Sequence, residues 1–147
     1  MREVSGSTWV FQLMIIFILI FACFLCLVIN YSKAYRVKNE MISIIEKYEG
    51  VTPESVNIIN NYLSAQGYKT VSKCSEDWYA VKNYDSVPEN VENGENYLYC
   101  FKEESVNGKI YYNVTVFYKF SLPFLGDFMT FKVNGRTETF LGSMSRY

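Results

Sequence analysis

Hydrophobic and polar positions follow three different periods along this chain. From Trp9 to Ile29 every residue except Gln12 is apolar, so no helical face is left for water. At about 1.5 Å per residue that run is about 30 Å long, the thickness of a bilayer's hydrocarbon core, and it predicts a single transmembrane helix. The run continues into Asn30, Tyr31 and Ser32 without a small-x-small site, which reads as a retained anchor and not as a secretory signal.

Past the run the pattern narrows to one stripe. Val37, Met41, Ile44, Ile45 and Tyr48 recur at the spacing of an amphipathic helix, and Gly50 ends it. No Pro or Gly separates stripe from span, so one helix from about Trp9 to Glu49, about 60 Å long, is expected. Thr52-Pro53-Glu54 opens a second helix with a capping residue, a proline where the missing N–H is harmless and an acid in the first turn. Its buried face is Val56, Ile59 and Leu63, with Ile58 and Tyr62 beside them, and Gly67 is its left-handed stop.

Beyond Gly67 the period becomes two. Tyr68 to Val71 and Trp78 to Val81 are short strand candidates, and Asn83 to Asn96 is polar and turn-rich. In Lys109 to Phe120 the residues Ile110, Tyr112, Val114, Val116, Tyr118 and Phe120 alternate with the others, as in a strand with one face buried. Asn107-Gly108 joins that strand to Tyr97–Lys102, and Asn134-Gly135 is expected to join Phe128–Val133 to Arg136–Leu141, each as a tight hairpin. Ser121 to Gly126 should break the ladder between them. The expected fold is therefore α+β: a long N-terminal transmembrane helix continuing into an amphipathic helix, a second short helix, and a C-terminal antiparallel sheet packed on the stripe. The domain divisions are a tail at 1–8, a transmembrane helix at 9–30 and an α+β domain at 31–147.

Composition narrows the chemistry. The chain has 147 residues, with 14 basic against 15 acidic side chains, which supplies no basic field for nucleic acid. His is absent, which removes Ser-His-Asp and Cys-His nucleophiles, HExxH sites and most catalytic zinc sites. Glu76-Asp77, Glu103-Glu104 and the series Asp85, Glu89, Glu92 and Glu95 read as solvated loops and a hairpin end, because neighbouring carboxylates on a strand point to opposite faces. Asn83 to Asn96 lacks the spacing of a calcium loop. No catalytic, cofactor or metal site is assigned, and no cofactor is expected.

Cysteines and charges bear on location. Cys74 and Cys100 could bridge in an oxidising compartment, closing a loop with a constraint of about 3 kcal/mol; two free thiols are the other reading. Cys23 and Cys26 read as packing residues of the apolar helix. Lys33, Arg36 and Lys38 follow the span while Arg2 precedes it, a bias that by itself puts the C-terminal part in the cytoplasm. Tyr and Phe concentrate on the strands as sheet packing, and the sequon Asn113-Val114-Thr115 falls in mid-strand.

Gly6-Ser7 shortly before the apolar run, the helical continuation Tyr31 to Glu49, and the tail Tyr112-Asn113-Val114-Thr115-Val116-Phe117-Tyr118 followed by Leu122-Pro123 resemble type IV pilin-like proteins, and among them the TadE-like pseudopilins. The resemblance implies a non-enzymatic subunit of a pilus or secretion apparatus, cleavage between Gly6 and Ser7 by a prepilin peptidase, and assembly with other pilin-like subunits through the N-terminal helix. It also implies that the C-terminal domain lies outside the cytoplasm, against the charge bias. That family carries a recruiting glutamate five positions after the cleavage glycine; here the position is Phe11, with Gln12 as the nearest polar residue. The alternative is a single-pass anchored binding module of another envelope complex, never cut.

Overall fold

The computed structural model describes residues 2–122 and 126–141. One helix, α1 (Arg2–Lys47), runs through both the apolar stretch and the stripe, about 70 Å in all. It begins earlier than the sequence pattern suggests, since the segment read as a tail adds the first turns of the same helix from Arg2 on. Nothing in Arg2–Thr8 is a helix breaker except Gly6, and one glycine costs only about 1 kcal/mol.

Glu49 and Gly50, with φ of 53° and 143°, turn the chain out of α1, and the Gly50 N–H closes on the Ile45 carbonyl at 2.9 Å. Helix α2 (Pro53–Ala65) starts at Thr52, whose hydroxyl accepts from the Ser55 N–H while the Ser55 hydroxyl accepts from the Thr52 N–H. This reciprocal cap satisfies two orphan donors. Val56, Ile59 and Leu63 are buried, Ile58 and Tyr62 are half-buried against them, and Gly67 leaves the helix at φ 63°.

Among the described residues six strands follow: β1 (Tyr79–Val81), β2 (Glu89–Asn90), β3 (Tyr99–Val106), β4 (Lys109–Leu122), β5 (Gly126–Arg136) and β6 (Phe140–Leu141). The sheet is antiparallel in the order β2-β1-β3-β4-β5, with β6 pairing the start of β4. Tyr68–Val71 is not a strand; only Ser72 bridges, to Tyr97. Asn107 and Gly108, at φ 54° and 75°, make the two-residue turn between β3 and β4. The right-handed twist of the strands favours that turn.

The second hairpin is placed differently from the sequence expectation. Asn134 and Gly135 lie inside β5, paired with Thr115 and Val114, and the strand runs on to Arg136. The reversal comes earlier, between Leu122 and Gly126, with Pro123, Phe124 and Leu125 outside the described residues. Gly135 serves close approach and not a turn. A Cβ built there would meet Ile42 Cδ1 at 2.5 Å and Lys38 Cδ at 2.6 Å, so α1 crosses the sheet where a side chain is missing. Thr137 then continues the ladder after Arg136, its N–H bonded to the Tyr112 carbonyl and its hydroxyl accepting from the Tyr112 N–H.

The main core lies between the second half of α1, α2 and one sheet face: Met41, Ile45, Ile59, Leu63, Tyr99, Tyr112, Val114 and Val116 are all at most 2% exposed. The other face is not simply solvated. Phe117, Tyr97, Ala80 and Cys100 form a second buried cluster with Cys74, Trp78 and Val91 around it, so β4 buries residues of both parities in its middle.

Candidate functional site

Two halves of α1 meet different surroundings. Ala34, Val37, Lys38, Met41, Ile44 and Ile45 are buried against the sheet, with Tyr48 half-buried behind them. The stripe extends one turn further than Val37 because Ala34 is small and because the Lys38 stem lies along the sheet while its ammonium sits 4.0 Å over the Tyr35 ring. A lysine at a stripe position hides this face from a reading by residue type. In the other half, every large hydrophobic from Trp9 to Ile29 is exposed, on all sides of the helix. Gly6, Ser7 and Gln12 are exposed too, and Cys23 and Cys26 are free thiols at half-exposed positions. Among the described residues, α1 is the one helix long and apolar enough to cross a membrane.

A ring of aromatic side chains marks where the helix passes from one environment to the other. Tyr31 stacks near Tyr35 and meets Tyr118 edge-on, with ring centroids 6.0 Å apart, and Tyr118 stacks on Phe131 at 5.1 Å. Burial, helped by Tyr31 nearby, raises the Tyr118 phenol above its usual pKa. Counting along the helix, Trp9 and Tyr31 lie about 33 Å apart, the span between two bilayer interfaces, where such rings are favoured. The alternation in β4 places Tyr118 on the helix side, but only the tertiary contact brings it to Tyr31.

Loops are pinned to the sheet by tyrosines. Strand β3 begins at Tyr99, opposite Val116, so the next residue of β4 lacks a partner on that side. The Tyr68 hydroxyl replaces it, accepting from the Phe117 N–H at 2.7 Å and donating to the Phe117 carbonyl. Burial pushes the Tyr68 phenol well above its ordinary range, only partly offset by that backbone bond. The Tyr84 hydroxyl donates in turn to the Tyr68 carbonyl. On the far face a disulfide joins Cys74 to Cys100, with Cα atoms 6.1 Å apart, and ties the loop before β1 to the start of β3.

Four of the carboxylates are committed to structural partners. Lys82 forms ion pairs with both Glu89 and Glu95, which raise its pKa; Lys82 first, and Tyr97 to a lesser degree, hold Glu95 below the usual carboxylate range. Glu103 accepts from Tyr112 and Glu104 from Tyr111, on opposite faces of β3, and the Tyr111 hydroxyl is the first cause lowering Glu104. Glu76 and Asp77 are exposed at a turn, and Asn113 lies in mid-strand between Lys102 and Arg136. Among the described residues, no group of three His, Cys, Asp or Glu is arranged to hold a metal ion.

Fold and site together define an α+β protein in which one continuous helix carries a wholly exposed apolar half and a half sealed by an antiparallel sheet. No protein-family model, curated protein or solved structure matches the chain.

Proposed function

We propose that this chain is a non-enzymatic, membrane-anchored subunit of the pilin-like kind, TadE-like, serving a bacterial pilus or secretion apparatus with its sheet domain outside the cytoplasm. The observation that carries this reading is the division of α1: an apolar half exposed on every side joined rigidly to a half that is already covered. Such a helix is stable in lipid, and it keeps that stability if the apolar helices of neighbouring subunits replace lipid around it, the packing a helical filament core requires. Lateral association then works through side chains such as Leu19 and Phe24, and no active site is needed. The Cys74–Cys100 disulfide supports an oxidising compartment and hence outward placement of the sheet.

The expected result of N-terminal sequencing of the membrane-extracted protein is a chain starting at Ser7. Protease added to intact cells should digest the sheet domain; a protected domain overturns the outward placement. Phe11, standing where the related family has glutamate, favours a second reading, an uncut anchored module that binds a partner in another envelope complex. An intact Met1 together with no cross-linking between copies through Cys23 or Cys26 would establish that reading instead.

A further inference from the structure

Three contacts fix how β4 and β5 run along α1. The Glu138 N–H, just past β5, bonds to the Glu46 carboxylate, Gly135 lies against Ile42 and Lys38, and Tyr118, paired with Phe131, meets Tyr31. From Glu138 to Phe131 an extended chain covers about 23 Å, and from Glu46 to Tyr31 a helix covers about 23 Å as well. The strands therefore run alongside the helix, with β4 heading towards its apolar half. They do not stop at Tyr31. From Tyr118 and Phe131 the two strands stay paired down to Leu122 and Gly126, about 13 Å further along β4. On α1 that distance corresponds to about nine residues, so the end of the hairpin is level with Ala22, inside the apolar run. Met129, two residues past Phe131, is level with Leu27.

As they descend, strand and helix part. Val133 belongs to the main core, Phe131 stacks on Tyr118, and by the period of two Met129 follows on the same face; their exposure rises from 8% to 36% to 50%. Across from them Leu27, two turns below the buried Ala34 on the same side of α1, is exposed. This leaves an apolar notch that opens towards the lipid-facing half of the helix. We infer that the bilayer itself fills it: lipid packs between α1 and Phe131 and Met129, and the end of the β4–β5 hairpin enters the membrane surface as a second contact beside the anchor. Whatever surrounds α1 between Leu25 and Tyr31 also touches Met129. The depth is shallow, because the overhang has open edges beyond β3, Asp127 lies in it, and neither tolerates hydrocarbon. A span of about 17 residues suffices to cross, so Trp9–Leu25 fills the hydrocarbon, Cys26–Tyr31 stand in the headgroup layer, and the hairpin end reaches about 5 Å below that layer. The contact rests on the anchoring of α1 in lipid and not on assembly into a pilus.

Tryptophan fluorescence of the full chain in phosphatidylcholine vesicles, quenched by lipid brominated near the top of the acyl chain, tests the contact. The substitutions Met129→Trp, Phe131→Trp and Val106→Trp are made one at a time in a Trp9→Phe background, where Trp78 contributes the same signal to all three. Each of the three positions is exposed, and Val106 lies at the other end of the sheet, about 30 Å along β4 from Tyr118. Quenching of Met129→Trp should exceed that of Val106→Trp several-fold, with Phe131→Trp between them. Equal quenching of Met129→Trp and Val106→Trp overturns the contact. So does protection of Met129→Trp together with cross-linking between copies through Met129→Cys, which would put a second copy in the notch. The parent chain with Trp9 in place separates the two failures. Quenched Trp9 with an unquenched Met129→Trp defeats the hairpin contact alone, and unquenched Trp9 defeats the anchoring as well.

Discussion

Breaking the Cys74–Cys100 cross-link should remove about a third or more of the stability of a domain of this size. The two cysteines are 26 residues apart in sequence. The chain-entropy relation for a loop of that length gives about 3.5 kcal/mol at room temperature. With a urea slope of about 1.5 kcal/mol per molar, the unfolding midpoint should fall by about 2 M. The measurement is a urea titration of the full chain in nonionic micelles, followed by the fluorescence of Trp78, which packs beside the disulfide, in a Trp9→Phe background that silences the apolar helix. Reduced wild type isolates the cross-link. Cys74→Ala/Cys100→Ala should fall slightly further, because Cys100 is buried beside Ala80, Tyr97 and Phe117 and its sulfur fills space there. Midpoints of oxidised and reduced protein that agree within about 0.5 M would refute the reasoning, since the loop would then be held closed by its other contacts in the unfolded ensemble as well.

Three further outcomes are expected in the same titration. Gly135→Val should cost about 1–3 kcal/mol by driving a side chain into Ile42 and Lys38, and pairing it with Ile42→Ala should recover part of the loss; full additivity would mean the approach of α1 to β5 is misplaced. Met41→Ala, fully buried, should cost about 2–5 kcal/mol, whereas Leu19→Ala, on the exposed apolar half, should leave the domain midpoint unchanged. Tyr68→Phe should cost about 1–3 kcal/mol by orphaning the Phe117 N–H and carbonyl. The folded Tyr68 pKa lies above the unfolded value of 10.0, so its contribution is intact below pH 10 and declines as pH rises beyond it; the phenylalanine variant should show a shallower alkaline decline.

Local physics made the helices legible from sequence. An uninterrupted apolar run, a stripe at helical spacing and a Thr-Pro-Glu cap each act within a few residues, so α2, the Asn107-Gly108 turn and, apart from its earlier start at Arg2, α1 stand where the pattern puts them. The stripe also required a cover, and an antiparallel sheet supplies it. What neighbouring residues do not determine is what a glycine or a lysine is for. Asn134-Gly135 has the composition of a hairpin turn, yet the pair lies in mid-strand because the ladder to β4 and a close helix crossing outweigh local turn preference. Lys38 is polar by type and buried by position, since its stem packs on the sheet and its charge reaches Tyr35.

The second cluster around Phe117, the capture of β4 by Tyr68, and the contact of Tyr31 with Tyr118 depend on elements far apart in sequence. The order of residues by itself determined that a single rod would have one half fit for lipid and one half in need of a sheet, because periodicity and caps are read locally. Only the tertiary structure decided which strands close over that rod, because long-range packing overrides local preference wherever the two conflict.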